Sequence, residues 1–172
     1  PDILVIGKGL GGGLPIGAFC SSREMMKKFE YKPSLGHIST FGGNPVIASA
    51  GLSVLKTLEN EKVLEKIKEK EKLIRSLLKH KKIKSINGTG LMLAIILERE
   101  SDVEKLVKES MGMGLILFYL LWNKSAVRIT PPLNISNRDL TKGCKIILKI
   151  LDEMALSSLL INLLKRIKCK SN

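Results

Sequence analysis

Gly7-Lys8-Gly9-Leu10-Gly11-Gly12-Gly13-Leu14-Pro15-Ile16-Gly17-Ala18 decides how this chain is read. The run follows Ile3-Leu4-Val5-Ile6, an apolar stretch that reads as a β-strand. A lysine directly after such a strand is expected to be drawn out of water. Burial disfavours the ammonium form and lowers the pKa. The neutral amine is the form that attacks a carbonyl to make a Schiff base. The surrounding glycines leave room for a large group to approach the backbone. Lys8 is therefore a candidate covalent site. The alternative is a tight glycine turn with a solvated lysine beside it.

Two nucleotide patterns compete for the same residues. Gly7, Gly9 and Gly12 match the spacing G-x-G-x-x-G, but that fingerprint needs a helix directly after the glycines. Leu14-Pro15-Ile16-Gly17-Ala18-Phe19-Cys20 reads instead as a second short strand, and Pro15 removes an amide the helix would use. A phosphate-binding loop would close on Gly-Lys-Ser or Gly-Lys-Thr, and this one does not.

Composition narrows the classes further. The 172 residues suffice for one domain or two small ones, and 44% of them are hydrophobic, enough for a packed core. The formal charge of +13 raises nucleic acid as a partner, yet only 4% of residues are aromatic, which leaves few platforms for stacking bases. Much of the charge sits in mixed runs such as Lys66-Ile67-Lys68-Glu69-Lys70-Glu71-Lys72, read as a solvated helix face. The basic tail Lys165-Arg166-Ile167-Lys168-Cys169-Lys170 reads as a frayed end. Neither nucleic acid nor membrane is expected as a partner. Cys20, Cys144 and Cys169 are far apart and match no metal-ligand spacing, so no metal is expected and a reduced, cytoplasmic setting is. The apolar runs Leu91–Leu97 and Gly114–Trp122 are too short to span a membrane.

Along the chain, strand Ile16–Ser21 leads to a short helix Ser22–Phe29. The stretch Tyr31–Gly43 is a loop rich in Gly, Ser, Thr and Pro. Asn44-Pro45 opens a helix, with Asn44 as cap. A longer amphipathic helix is expected over Glu61–Lys79, and Lys79-His80-Lys81-Lys82 marks a junction that divides the chain into 1–82 and 83–172. Beyond it come strand Leu91–Glu98, helix Asp102–Met111, strands Leu115–Tyr119 and Ala126–Thr130, and a helix from Asn137 to about Leu160 capped by Ser136. Alternating strands and helices give an α/β or α+β second domain. Arg128, in an otherwise apolar strand, calls for a carboxylate partner, either a ligand or a structural ion pair. Ser39 and Thr40 lie on a glycine-flanked loop whose hydroxyls and amides suit a phosphate or, equally, an ordinary turn.

Three segments, in order, resemble the class III pyridoxal-phosphate (PLP) aminotransferases, the family of acetylornithine, ornithine and 4-aminobutyrate aminotransferases. They are Pro1-Asp2-Ile3 with Lys8–Ala18, His37-Ile38-Ser39-Thr40-Phe41-Gly42-Gly43-Asn44-Pro45, and Ala126-Val127-Arg128-Ile129-Thr130-Pro131-Pro132-Leu133. The resemblance covers Pro1 to about Glu153 and departs at Ile38, where the family has glycine, and at Ser85-Ile86-Asn87-Gly88, where it has Asp-Val-Arg-Gly. It implies an α/β, fold-type I PLP transferase. Residues 1–82 would end the large PLP-binding domain and 83–172 would form the small C-terminal domain. It also implies PLP on Lys8 as a Schiff base, and Thr40 reaching the cofactor phosphate of a partner subunit. Ser39 would lie beside substrate, and Arg128 would meet a substrate carboxylate or an acidic residue that gates one. His37 is read as a loop hydrogen-bonder. The implied reaction moves an amino group from a small amino donor to a 2-oxo acid acceptor, in a homodimer with shared active sites. A racemase on the same scaffold is the alternative, as is a catalytically incomplete chain. Pro1 would fall past the midpoint of a family member, after the acid that pairs with the pyridine nitrogen, the glycine-rich phosphate loop and the aromatic that stacks on the ring.

Overall fold

The computed structural model describes the backbone of residues 1–31 and 38–170 and the side chains of 1–31 and 38–157. The chain divides into two units, Pro1–Leu64 and Glu65–Asn172.

In the first unit, β1 (Ile3–Ile6) pairs antiparallel with β2 (Ala18–Ser21), Ile3 opposite Ser21 and Ile6 opposite Ala18. The glycine run between them contains one 3-10 turn, Lys8–Gly11. Ser22 caps α1 (Arg23–Met26), its hydroxyl accepting the Met25 amide at 3.2 Å. A further 3-10 turn, Lys27–Glu30, completes the expected short helix. α2 (Pro45–Asn60) starts where the Asn-Pro pair predicts: Asn44 Oδ1 accepts from the Val46 and Ile47 amides at 3.0 and 3.2 Å. These bonds satisfy donors the helix leaves free.

The expected helix from Glu61 to Lys79 forms only in its second half. Lys62 takes a left-handed conformation (φ 49°), which stops α2 and starts a 3-10 turn, Val63–Lys66, before α3 (Ile67–Leu77). α3 belongs to the second unit, where its Ile74 joins the buried core together with Leu78. The first unit ends at Leu64, within the 3-10 turn Val63–Lys66.

The second unit is built on a four-stranded antiparallel sheet of β3 (Ile83–Thr89), β4 (Met92–Leu97), β5 (Phe118–Leu120) and β6 (Asn123–Ile129), in the order β3-β4-β6-β5. β4 shows the alternation of a half-buried strand: Leu93, Ile95 and Leu97 are buried while Met92 is 77% exposed. Val127 and Ile129 of β6 join them. α4 (Glu100–Gly112) adds Val103 and Leu106, and α5 (Asn137–Lys170) adds Leu140, Cys144, Ile147, Ile150, Leu151 and Met154. Ser136 caps α5 as expected, its hydroxyl accepting the Asp139 amide at 3.0 Å and donating to the Asp139 carboxylate at 2.7 Å.

β3 was hidden in the sequence because its apolar residues, Ile83 and Ile86, are three apart. The register against β4 shifts between Ile83 and Ser85, and this irregularity lets both isoleucines pack on the core. The β3–β4 turn is clasped by α3. Arg75 donates to the Ile86 and Gly88 carbonyls at 2.7 and 2.8 Å, and Glu71 accepts the Gly90 amide at 2.6 Å. That amide bond, with the Arg75 guanidinium beside it, holds the Glu71 carboxyl below its usual range. A second clasp joins the start of α4 to the segment before β3: Asp102, 6% exposed, accepts from Lys82 at 3.0 Å and from Arg99 at 3.0 and 3.2 Å.

Gly88 has φ +99° and a Cβ there would run into the Met92 carbonyl. Gly88→Ala is expected to destabilise the protein by more than about 1 kcal/mol, read as a lowered midpoint in urea unfolding. Burial alone would push the Asp102 carboxyl up, but the hydrogen bonds from Arg99 and Lys82 outweigh it and hold it below its ordinary 3.8. A depressed folded pKa adds stability that is present above the unfolded value and lost as pH falls through the folded one. Asp102→Asn should therefore lower the urea midpoint at pH 7, and the gap to the parent should narrow as the pH drops below 3.8.

Candidate functional site

Lys8 is the first residue of the 3-10 turn that follows β1, and it holds φ 47°. A non-glycine residue rarely adopts this left-handed geometry, and such residues concentrate at functional sites. Lys8 is exposed. The desolvation expected for it is not supplied by its own unit, because a two-stranded sheet has few neighbours to bury against and Val5 of β1 is itself 77% exposed.

The glycines of the run have divided roles. Gly12 (φ +57°) lies so close to α2 that a Cβ would sit 2.6 Å from Val54 Cγ2. A Cβ on Gly11 would be 3.0 Å from Ile16 Cγ2, and one on Gly51 of α2 would be 3.3 Å from Ile16 Cδ1. These three serve packing. Gly9 and Gly13 have nothing within 4 Å of a Cβ position, and there the backbone is open to approach.

Ser39 and Thr40 stand on a tight turn in which Gly42 N–H donates to the Ser39 carbonyl at 3.0 Å. Asn44 N–H donates to the Phe41 carbonyl at 3.1 Å, and Gly43 is left-handed (φ +74°). Both hydroxyl residues are exposed. The turn runs directly into the N-terminus of α2, and the Lys8 turn packs on the same helix. The Lys8 turn meets α2 near Gly51 and Val54, and Ser39 and Thr40 precede its N-terminus. His37 lies outside the described residues.

Arg128 belongs to the second unit, on β6 opposite Ala94 of β4 and Phe118 of β5. It is exposed, where half-burial was expected, because it alternates with Val127 and Ile129 and takes the face away from the core. It borders a cavity of about 260 Å³ whose lining runs from Phe118, Thr130, Pro131 and Pro132 to the core residues Ile74, Leu140 and Ile147. Burial pushes the Cys144 thiol, on the α5 side of this cavity, up to about 11, which leaves it a poor nucleophile. Among the described residues, no group of three or more His, Cys, Asp and Glu could hold a metal ion, and no helix is long and apolar enough to cross a membrane.

The mixed charge run of α3 is not a solvated face throughout. Lys70 is 7% exposed, and its ammonium donates to the Leu133 carbonyl at 2.7 Å. The signal was in the spacing: Lys70 falls between Ile67 and Ile74 on the apolar side of the helix. Glu71 and Arg75, four apart, are the α3 side of the turn clasp described above.

Known proteins match this arrangement. A family profile described as aminotransferase class-III matches residues 1–151. Acetylornithine aminotransferase of Caldanaerobacter subterraneus subsp. tengcongensis is 35% identical over 159 residues, covering 90% of this chain and 39% of that protein. Leucine/methionine racemase of Thermococcus litoralis is 33% identical over 156 residues, covering 83% of this chain and 34% of that protein. The ornithine aminotransferase of Toxoplasma gondii, solved with PLP partially occupying its active site, is similar in structure with a TM-score of 0.79 and 28% identity, over 90% of this chain and 38% of that one. The chain spans little more than a third of the length of these relatives. The neighbours are fold-type I PLP enzymes, and PLP is the cofactor of the class. With its profile match running from the Lys8 turn through the Arg128 strand and on into α5, the chain belongs to the class III aminotransferases.

Proposed function

We propose that the complete polypeptide carrying these residues transfers an amino group to a 2-oxo acid, from an acetylornithine-, ornithine- or 4-aminobutyrate-like amino acid. The observation that carries the reading is Lys8, a left-handed lysine at the end of β1, inside the region matched by the class III profile. The donor set fits PLP. Lys8 offers a primary amine in the open, Gly9 and Gly13 leave the backbone accessible beside it, and Thr40 offers an exposed hydroxyl on a turn anchored to the same helix. Bound PLP would supply an aldehyde for the amine and an electron sink for the substrate carbon. Lys8 Nζ then serves as acid and base, taking the proton from the carbon that bears the amino group and returning it to a neighbouring atom. Thr40 Oγ1 would donate to the phosphate, in a homodimer to the phosphate held by the partner subunit. Ser39 would contact the substrate, and Arg128 its carboxylate, with two nitrogens matched to two oxygens. Residues 1–82 act in this reading as the end of the PLP-binding domain and 83–172 as the small domain, in a cytoplasmic enzyme.

One specific observation favours a second reading. The relation to a leucine/methionine racemase is nearly as close in identity as that to the acetylornithine enzyme. Racemisation needs the same proton removal at Lys8 but returns the proton to the opposite face, with no 2-oxo acid consumed.

Borohydride treatment of the complete polypeptide with PLP, followed by peptide mapping, should fix the cofactor on the peptide containing Lys8. Lys8→Ala should lose that adduct and at least about 10²-fold of the turnover; an adduct on another lysine, with turnover intact, would overturn the assignment. Amino transfer requires 2-oxoglutarate or another 2-oxo acid. Chiral chromatography showing D-leucine formed from L-leucine without any 2-oxo acid would select the racemase instead. Residues 1–172 alone are expected to be silent in both assays.

A further inference from the structure

Beyond the Leu93–Ile129 pair, β6 has no further register with a neighbouring strand, and the chain continues through Thr130, Pro131, Pro132 and Leu133 before α5 begins. Thr130, Pro131 and Pro132 form one wall of the cavity that Arg128 borders, and Leu133 follows them in the chain. Two prolines remove two amide donors, so this wall cannot be held by a ladder. Two described bonds tie it down. Ile135 N–H donates to the Pro132 carbonyl at 3.0 Å, which closes the turn on itself. The Lys70 ammonium donates to the Leu133 carbonyl at 2.7 Å, which alone of the two reaches outside the turn, from a residue 63 positions earlier.

An ammonium 7% exposed is a costly way to hold a carbonyl. A leucine or methionine at position 70 would continue the apolar side of α3 between Ile67 and Ile74 without that cost. The lysine does what neither can: it fixes one backbone oxygen at a charge-assisted hydrogen-bond distance from a rigid helix. Ile74, one turn along α3, lines the same cavity, so helix and wall are joined on either side of it.

We propose that Lys70 is a positioning residue that pins the Pro131–Leu133 turn to α3 and so sets the width of the cavity beside Arg128. This rests on the reading of Arg128 as the group that meets the substrate carboxylate. A carboxylate approaching Arg128 between Phe118 on one side and the proline turn on the other needs that turn at a fixed distance. Misplacement of such a wall by about 1 Å is enough to cost up to about 10²-fold in a site that depends on orientation.

The test uses Lys70→Met, which keeps the length and packing of the stem, and Lys70→Arg, which restores a cation, both in the complete polypeptide. Hydrogen exchange followed by peptide mass analysis should show the peptide covering 130–136 exchanging about tenfold faster in Lys70→Met, with the β4 and β6 peptides unchanged. Lys70→Arg should restore slow exchange. In steady-state assays Lys70→Met should raise KM for the amino donor about tenfold while kcat stays within about twofold, as expected when binding rather than chemistry is disturbed. Uniformly faster exchange across the second unit, or no local change, would overturn the proposal and leave Lys70 a core residue. Arg128→Lys separates the two readings. Should it leave KM unchanged, the carboxylate role of Arg128 fails, and the exchange result alone decides the latch.

Discussion

Gly12 meets Val54 at a separation that would put a Cβ only 2.6 Å from a methyl carbon, and the seating of the Lys8 turn on α2 depends on that close approach. The same helix begins at Asn44, whose side chain ties down two of its first amides and so fixes the turn bearing Ser39 and Thr40. The Lys8 turn and the turn bearing Ser39 and Thr40, more than thirty residues apart in sequence, thus adjoin one helix. A side chain at position 12 would be strained by the positive φ and would force Val54 or the turn to shift.

The second unit solves a different problem. Its sheet buries one face under α3, α4 and α5 and leaves Arg128 on the other, in a strand paired on both sides. A charged group in the middle of a sheet is placed more exactly than one on a loop, because the ladder fixes its backbone. Cations tie parts of this unit together. Arg75 reaches two carbonyls of the edge strand β3, Lys70 the turn after β6, and Lys82 with Arg99 the buried Asp102 carboxylate in α4. Part of the chain's positive charge thus serves as backbone-directed hydrogen-bond donors.

Much of this was legible in the sequence. Asn44-Pro45 and Ser136-x-x-Asp139 gave two helix starts to the residue, since a cap is a local bond between neighbours. β4 and β6 were legible as short, mostly apolar runs. β3 was not, because a register shift places Ile83 and Ile86 on one side despite their odd spacing. The break at Lys62 was missed for a related reason: a single left-handed residue leaves the apolar periodicity on either side intact. The candidate site residues were chosen from three short motifs, which carry residue type but not environment. Burial depends on what packs against a strand, and no motif encodes that for Lys8 or Arg128.

The exposure of Lys8 carries a physical requirement with it. A lysine acts as a nucleophile and base through its neutral amine, a form that burial favours. Its own unit offers α2 on one side of the turn and two short strands on the other, with Ile3, Leu4, Val5 and Phe19 all substantially exposed. Apolar surface of that kind, next to an exposed lysine on a constrained turn, is what a covering layer would bury. In the role proposed for Lys8, surface beyond these strands and α2 would have to cover it. The same dependence follows for Arg128, since an exposed guanidinium binds a carboxylate weakly until water is excluded from the pair. Lys8 and Arg128 each stand exposed on a backbone fixed by a turn or a ladder, and in the roles proposed for them both would require water to be excluded.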